Sequence, residues 1–288
     1  MIVVTGATGQ LGSRIVRHLL DRVPAARIGV SVRDPEQAGD LADRGVRVRR
    51  GDFTDPGSLA HAFEDAGRVL VVSANIGGPA AVAANTAATD AARAAGAAHV
   101  LYTSHQGAAA DSLFPPMLTH AATEAHLTTP GAPFTALRNG FYLSTVERMI
   151  GPALQSGTLV APEDGPVSWT THADLAEAAA VLTADEGLTG GGPTPPLTAP
   201  ECLDLADVAA ILSDRTGRTV RRVVADDEEF VATSTANGLP EGVARMLLGM
   251  FLASRRGEFA VTGPALGDVL GRPATSARAA LGELLSRR

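Results

Sequence analysis

The chain begins MIVVTGATGQLGSRIV, in which a short apolar strand runs without a break into a glycine-spaced turn and then into an amphipathic helix. Residues 2–5 supply the strand and Gly6, Gly9 and Gly12 the turn. Leu11, Ile15, Leu19 and Leu20 form one apolar helix face. A continuously apolar strand is one buried on both faces of a parallel sheet, and parallel strands need long crossovers, usually helical. Glycines at this spacing, between strand and helix, are how a βαβ unit receives a pyrophosphate. Gly6 permits the tight turn, Gly9 lets the backbone approach the anion, and Gly12 lets helix and sheet pack closely. The helix N-terminus adds free N–H groups and the positive end of its dipole. An ordinary structural turn is the plainer reading, but the place at the head of a βαβ unit favours a dinucleotide.

The alternation continues down the chain. Residues 27–32, 46–50, 68–73, 99–103 and 134–138 read as strands. Helices are expected at about 9–21, 36–44, 58–65, 80–95 and 119–128. Six strands with helical crossovers in about 140 residues predict an α/β fold, a Rossmann-type doubly wound parallel sheet. The pattern then changes. Pro and Gly cluster at 190–196, one strand is expected at 220–224, and helices at about 172–184, 205–216, 227–236, 241–256 and 276–286. The expected organisation is an NAD(P)-binding Rossmann domain over residues 1–150. A smaller, mostly helical C-terminal substrate cap follows over residues 151–288, partly interleaved with the first.

The end of the second strand selects the dinucleotide. An acidic residue there suits the ribose hydroxyls of NAD, and an arginine suits the 2′-phosphate of NADP. Here IGVSV ends in Arg33, 21 residues past Gly12, with Asp34 next. The planar guanidinium fits a phosphate, so NADP is the expected cofactor and NAD the alternative. In the plainer reading Arg33 is a solvated strand-end charge and Asp34 a turn residue before Pro35. All 24 basic residues are arginines. A lysine Schiff base, a Walker-type phosphate loop and a Tyr-Lys proton relay are therefore excluded. The net charge of −7 shows no basic stripe, so nucleic acid is not expected as a partner. One cysteine, Cys202, no signal sequence and no apolar run of about 18 residues predict a cytoplasmic protein without a membrane span. The seven histidines show no tight ligand spacing, so no metal is expected.

TGATGQLG, SVRDP and RRGDFTD, followed by YTSHQGA, HAATEAHL, FTALRNGFY and SWTTHADLAEAA, resemble the atypical short-chain dehydrogenase/reductases of the NmrA-like branch. Within it the chain is similar to type 2 NAD(P)H:quinone oxidoreductases and triphenylmethane reductases. The resemblance implies that Thr5, Gly6, Thr8, Gly9, Gln10 and Leu11 line the pyrophosphate turn and that Arg33 meets the 2′-phosphate. It implies that Asp52 and Phe53 flank the adenine, and that Ser73, Ala74 and Asn75 pass along the riboses. Thr103, Ser104 and His105 would lie near the nicotinamide. Arg138, Asn139, Gly140, Phe141 and Tyr142 would form the floor, with His105, Phe141 and Tyr142 lining the substrate pocket. One departure from the wider superfamily matters. Its Tyr-x-x-x-Lys corresponds here to the stretch His120-Ala121-Ala122-Thr123-Glu124, as it does in the subgroup itself.

Without that relay the chemistry narrows. A simple carbonyl needs a proton donor as its alkoxide develops, whereas a quinone or conjugated dye delocalises or neutralises the charge. His120 and Tyr142 are the candidate catalytic proton donors. For His120 the alternative is a helix-face histidine bonded to Glu124 one turn on, and for Tyr142 a pocket lining. Tyr102, inside a strand, reads as core. Ser104 reads as a pocket hydroxyl, since no nucleophile elbow surrounds it. The run Asp226–Glu229 reads as a solvated helix start. The stripe Val243, Met246, Leu247, Met250 and Phe251 is a substrate wall or homodimer surface, with core packing as the plainer reading. Three functions remain open. They are an NADPH-dependent reductase of a quinone or other small-molecule conjugated acceptor, a non-catalytic NADP-sensing regulator, and a tailoring reductase of a biosynthetic pathway.

Overall fold

The computed structural model describes residues 1–74, 76–185, 187 and 191–286. Its first part alternates β1 (Ile2–Thr5), α1 (Gln10–Leu20), β2 (Ile28–Val32), α2 (Gly39–Asp43), β3 (Arg47–Arg50), α3 (Pro56–Phe63), β4 (Arg68–Val71) and α4 (Gly78–Ala94). There follow β5 (His99–His105), α5 (Pro115–Leu127), β6 (Phe134–Asn139), β7 (Phe141–Tyr142), α6 (Ser144–Ser156), β8 (Thr158–Pro162), β9 (Trp169–Thr170) and α7 (His172–Ala184). The last part holds β10 (Gly192–Pro193), α8 (Leu205–Thr216), β11 (Arg221–Ala225), α9 (Asp227–Ala236), α10 (Glu241–Arg255), α11 (Ala265–Leu270) and α12 (Ala277–Ser286).

Local chemistry places many of these ends. Asp55 accepts the Ser58 N–H and Pro56 follows it, so α3 starts there. Asp204 and Asp207 form a reciprocal capping box on α8, which ends at the left-handed Gly217.

The main sheet is all parallel, in the order β10-β6-β5-β4-β1-β2-β3. The order reverses between β1 and β4, so the carboxyl edge opens there, as in doubly wound sheets that bind dinucleotides. Successive strand residues serve opposite faces. Ile2 and Val4 join Leu70, Leu101 and Leu137 under α1, α7 and α11, whereas Val3, Val69 and Tyr102 pack under α3, α4 and α5.

The second half does more than add helices. β8 pairs with β11 in a separate parallel ribbon, β7 pairs with β9, and β10 extends the main sheet beyond β6. α6 runs through Pro152, although Gly151-Pro152 reads as a break in the sequence. The stripe on α10 faces inward only at its C-terminal end: Met250 and Phe251 are buried, Met246 and Leu247 are half-buried, and Val243 is exposed. Among the described residues, no helix is long and apolar enough to cross a membrane, and no three His, Cys, Asp or Glu side chains gather as a metal site.

Candidate functional site

Because the strands are parallel, Thr5, Val32, Val71, His105 and Asn139 end them at one edge of the sheet. At that edge Gly6 has φ +60° and Gly9 lies at the N-cap of α1. A Cβ on Gly12 would stand 2.2 Å from the Gly6 carbonyl oxygen, which no relaxation of a side chain relieves. Thr8, Gly9 and Gln10 are exposed, so the first turn of α1 presents its N–H groups outward. Leu11 is buried and offers only its backbone. The turn therefore has the open glycine cradle that a pyrophosphate requires.

The adenosine end is asymmetric. Arg33 is exposed and makes no hydrogen bond or ion pair among the described residues. Asp34 is committed locally, since its carboxylate accepts the Glu36 N–H at 3.1 Å and the Gln37 amide at 2.9 Å. Asp52 accepts both the backbone N–H and the hydroxyl of Thr54, which, with the nearby Arg50 and Arg33, hold its carboxyl below the usual range. Phe53 packs partly against the α3–α4 face. A free guanidinium beside two occupied carboxylates suits the 2′-phosphate.

Nearer the middle of the sheet, most side chains expected at the cofactor hold the loops instead. Thr5 Oγ1 accepts the Val72 N–H and Thr103 Oγ1 accepts the Ser73 N–H. The Ala74 N–H goes to Asn85 Oδ1. Asn75 lies outside the described residues, as does Gly190 of the Pro/Gly cluster. Ser104 donates to Glu124 at 2.6 Å, and Arg138 grips the same carboxylate through Nε and Nη2 at 3.0 and 2.6 Å. This fork locks β5, α5 and β6 together. It also corrects the pairing of His120 with Glu124. Glu124 belongs to Ser104 and Arg138, and His120 Nδ1 lies 2.9 Å from the Tyr102 hydroxyl. Tyr102 is core, as the sequence indicates, but its hydroxyl is used.

The histidines gather at the end of β5. The His105 and His120 rings lie 6.1 Å apart at 26°. Burial lowers the His120 pKa to about 4 and that of His105 well below 6.5. Phe141 and Phe259 meet His105 edge-on at 5.1 and 5.7 Å. Tyr142 stacks on His172 at 4.3 Å, and burial raises its phenol. Beside it the buried Asn139 amide has the Tyr142 hydroxyl as a side-chain neighbour, and neither Oδ1 nor Nδ2 makes a hydrogen bond of normal geometry. A buried amide at the end of β6 with only this neighbour keeps donor and acceptor capacity that a carboxamide partner would use. The cradle, the free Arg33 and this amide together fit a nicotinamide dinucleotide.

Asn85 was not anticipated. Its signal is visible in AAVAANTAATDAA: a buried helix face of Ala81, Ala84, Ala88 and Ala92 interrupted by one amide. The Glu124–Arg138 fork lacks such a signal, because it joins α5 to β6 across the fold.

The NmrA-like family matches residues 1–274. The chain belongs to this family. Quinone oxidoreductase 2 of Escherichia coli strain K12 is 32% identical over 279 residues, 96% of each chain. NAD(P)H azoreductase of Xenophilus azovorans is 30% identical, over 95% of this chain and 94% of its own. A crystal structure of an E. coli NADPH-dependent quinone oxidoreductase with NADPH has a TM-score of 0.92 at 30% identity, covering 99% of both chains. The triphenylmethane reductase of Citrobacter sp., complexed with NADP(H), gives a TM-score of 0.90 at 32% identity, covering 98% of this chain and 99% of its own. The family and the subgroup are those indicated by the LRNGFY and HAATE segments.

Proposed function

We propose that this protein is an oxidoreductase that uses NADPH to reduce a quinone or a similarly conjugated acceptor. One observation carries the reading. An intact phosphate cradle stands at the head of a fold whose α5 carries His120 and Glu124 in place of the usual tyrosine and lysine. The bound nicotinamide supplies hydride. Gly9, whose own N–H goes to the Gly6 carbonyl at 2.9 Å, leaves room for the pyrophosphate, the N–H groups of Gln10 and Leu11 hold it, Arg33 holds the 2′-phosphate, and Asp52 and Phe53 the adenine edge. Ser73 and Ala74 follow the riboses, and the buried Asn139 amide orients the carboxamide. Thr5, Thr103 and Ser104 act by fixing the loops. His105, Phe141 and Tyr142 face the acceptor, and Tyr142 and His120 are its candidate donors. Such a site suits an acceptor that spreads its charge and makes little demand for an acid. Similarity to quinone, azo and triphenylmethane reductases supports this choice.

Residues 1–150 carry the cofactor and residues 151–288 shape the acceptor side, with α7, β10 and α11 returning to the first part. The protein works in the cytoplasm on a small molecule, not on nucleic acid or membrane, as a monomer or homodimer. The test is NADPH oxidation by purified protein against quinones, azo compounds, cationic dyes and conjugated ketones. Turnover of quinones is expected. Binding of NADPH without turnover on any acceptor, together with a protein partner sensitive to NADP redox state, would replace the enzyme with a sensor.

A further inference from the structure

Hydrogen-bond polarity fixes the tautomer of His105 at the end of β5 and restricts that of His120 beside it. The Ala74 backbone N–H can only donate, so the atom of Asn85 facing it at 2.9 Å is Oδ1. Asn85 Nδ2 therefore faces the Tyr102 hydroxyl, 3.1 Å away, and donates to it. The phenol proton then goes to His120 Nδ1 at 2.9 Å or to the Thr123 hydroxyl, which itself donates to the Thr119 carbonyl; directed at His120 it is accepted by Nδ1, and the neutral ring carries its own proton on Nε2. His105 reaches the same state by a shorter route. Its Nδ1 accepts the Gly107 N–H at 3.1 Å, so its proton is also on Nε2. Neither Nε2 has a partner among the described residues. The rings lie 6.1 Å apart, and His105 is the last residue of β5, at the edge where the nicotinamide is placed.

We propose that His105 and His120 form a pair of neutral Nε2–H donors for the oxyanion of a reduced quinone, and that Asn85 and Tyr102 are positioning residues that set the His120 tautomer. The assignment rests on the reductase reading. A quinone that has gained hydride is a hydroquinone monoanion, and one proton from water completes the hydroquinone. In this assignment His120 ceases to be a candidate proton donor, because the pair transfers no proton. It donates hydrogen bonds to the charged oxygen, which preorganised donors stabilise more strongly than bulk water does. Burial keeps both rings uncharged at neutral pH. Glu124, one turn along α5 from His120, is occupied by Arg138 and Ser104 and leaves the pair without an ionic partner. This arrangement replaces the missing Tyr-Lys relay with donors that need no low-pKa acid.

Two measurements test the pair. The first is independent of turnover. Nitrogen-15 NMR of histidine-labelled protein at pH 7, titrated with 4-nitrophenolate in the presence of NADP⁺, reads tautomer and hydrogen bonding directly. The expected result is a bare Nδ1 on both rings and movement of both Nε2–H signals with the phenolate. Tyr102→Phe should give mixed tautomers at His120 with the fold intact. A cationic ring, an Nδ1–H tautomer in the wild type, or signals unmoved by phenolate would overturn the proposal. The second measurement compares acceptors. A triphenylmethane cation takes hydride on carbon and forms no oxyanion. His120→Ala and His105→Phe should therefore lower the ratio of quinone to dye turnover, by up to about 10²-fold for each donor lost. A merely structural role lowers both activities together and leaves the ratio unchanged, which would also overturn the pair. Failure of every acceptor in the wild type, with the NMR pattern as expected, would instead remove the reductase reading.

Discussion

Arg33 and Asp34 show how neighbouring charges acquire different duties. Asp34 spends both carboxylate oxygens on the turn that follows it, while Arg33 stays free at the end of β2. NADP(H) should therefore bind more tightly than NAD(H), and Arg33→Ala should erode that preference by roughly ten- to hundredfold. Calorimetry on both cofactors checks it, and equal wild-type affinities would remove Arg33 from the site. The histidines make a second prediction, in pH. His120 and His172 are both held near 4, burial being the main cause, with Arg14 and Arg148 adding to it at His172. Unfolded histidine titrates near 6.5. Between these values the unfolded chain binds more protons than the folded one, so stability falls as pH drops from about 6.5 to 4. Each ring contributes at most about 1.4 kcal/mol per pH unit, an upper limit because both are partly exposed. Urea midpoints at pH 7 and pH 5 should differ accordingly, and His172→Phe should flatten the difference. A midpoint that rises on acidification would contradict the assignment.

The Glu124 fork ties three secondary-structure elements, joining β5 through Ser104, α5 through Glu124 and β6 through Arg138. Glu124→Ala would leave the guanidinium without its carboxylate and Ser104 without its acceptor. Breaking a buried pair costs about 3–5 kcal/mol, but the Arg138 side chain is 31% exposed, so a loss nearer 2–3 kcal/mol is expected. Denaturant unfolding measures it, and Glu124→Gln, which keeps an acceptor for Ser104, should recover part of the loss. The fork also marks the limit of sequence reading. β1, α8 and α9 were legible to the residue because their signals are local: apolar runs, capping aspartates and terminal glycines. α6 was not, because Pro152 reads as a break, and the helix persists through packing of Val146, Ile150 and Ala153 in the C-terminal core. β7, β9 and β10 are two residues long and exist only through partners far away in the chain. At the candidate site, the glycine turn and Arg33 could be proposed from the sequence because each would perform a backbone or charge task at a fixed spacing. The Asn85–Tyr102–His120 chain could not, because its members come from α4, β5 and α5 and meet only in the folded core.

Elements of the second half of the chain return to the first, and this bears on how the protein unfolds. α7 packs on α1, β10 completes the sheet beyond β6, and Leu266 of α11 enters the core beneath β1 and β2. The C-terminal segment is pinned there by Asp174 on α7, whose side chain is 1% exposed. It accepts the Thr275 N–H at 2.7 Å and Arg272 Nη2 at 2.8 Å, while Arg272 also reaches Glu177 at 2.6 Å. Removing the guanidinium leaves a buried carboxylate with one donor fewer. Arg272 itself is 42% exposed in its side chain, so screening reduces the loss to about 1–2 kcal/mol. Because the clasp ties residues 172–184 to the segment after 265, that loss should be felt by the whole fold and not by one end. Calorimetry of the wild type should show a single transition. Arg272→Ala should keep it single and lower its midpoint by roughly 2–4 °C per kcal/mol lost. A second, lower transition in the variant would mean that the C-terminal region melts alone and that the interleaving carries little cooperativity. A midpoint that does not move would mean that Thr275 and solvent satisfy Asp174 without the arginine.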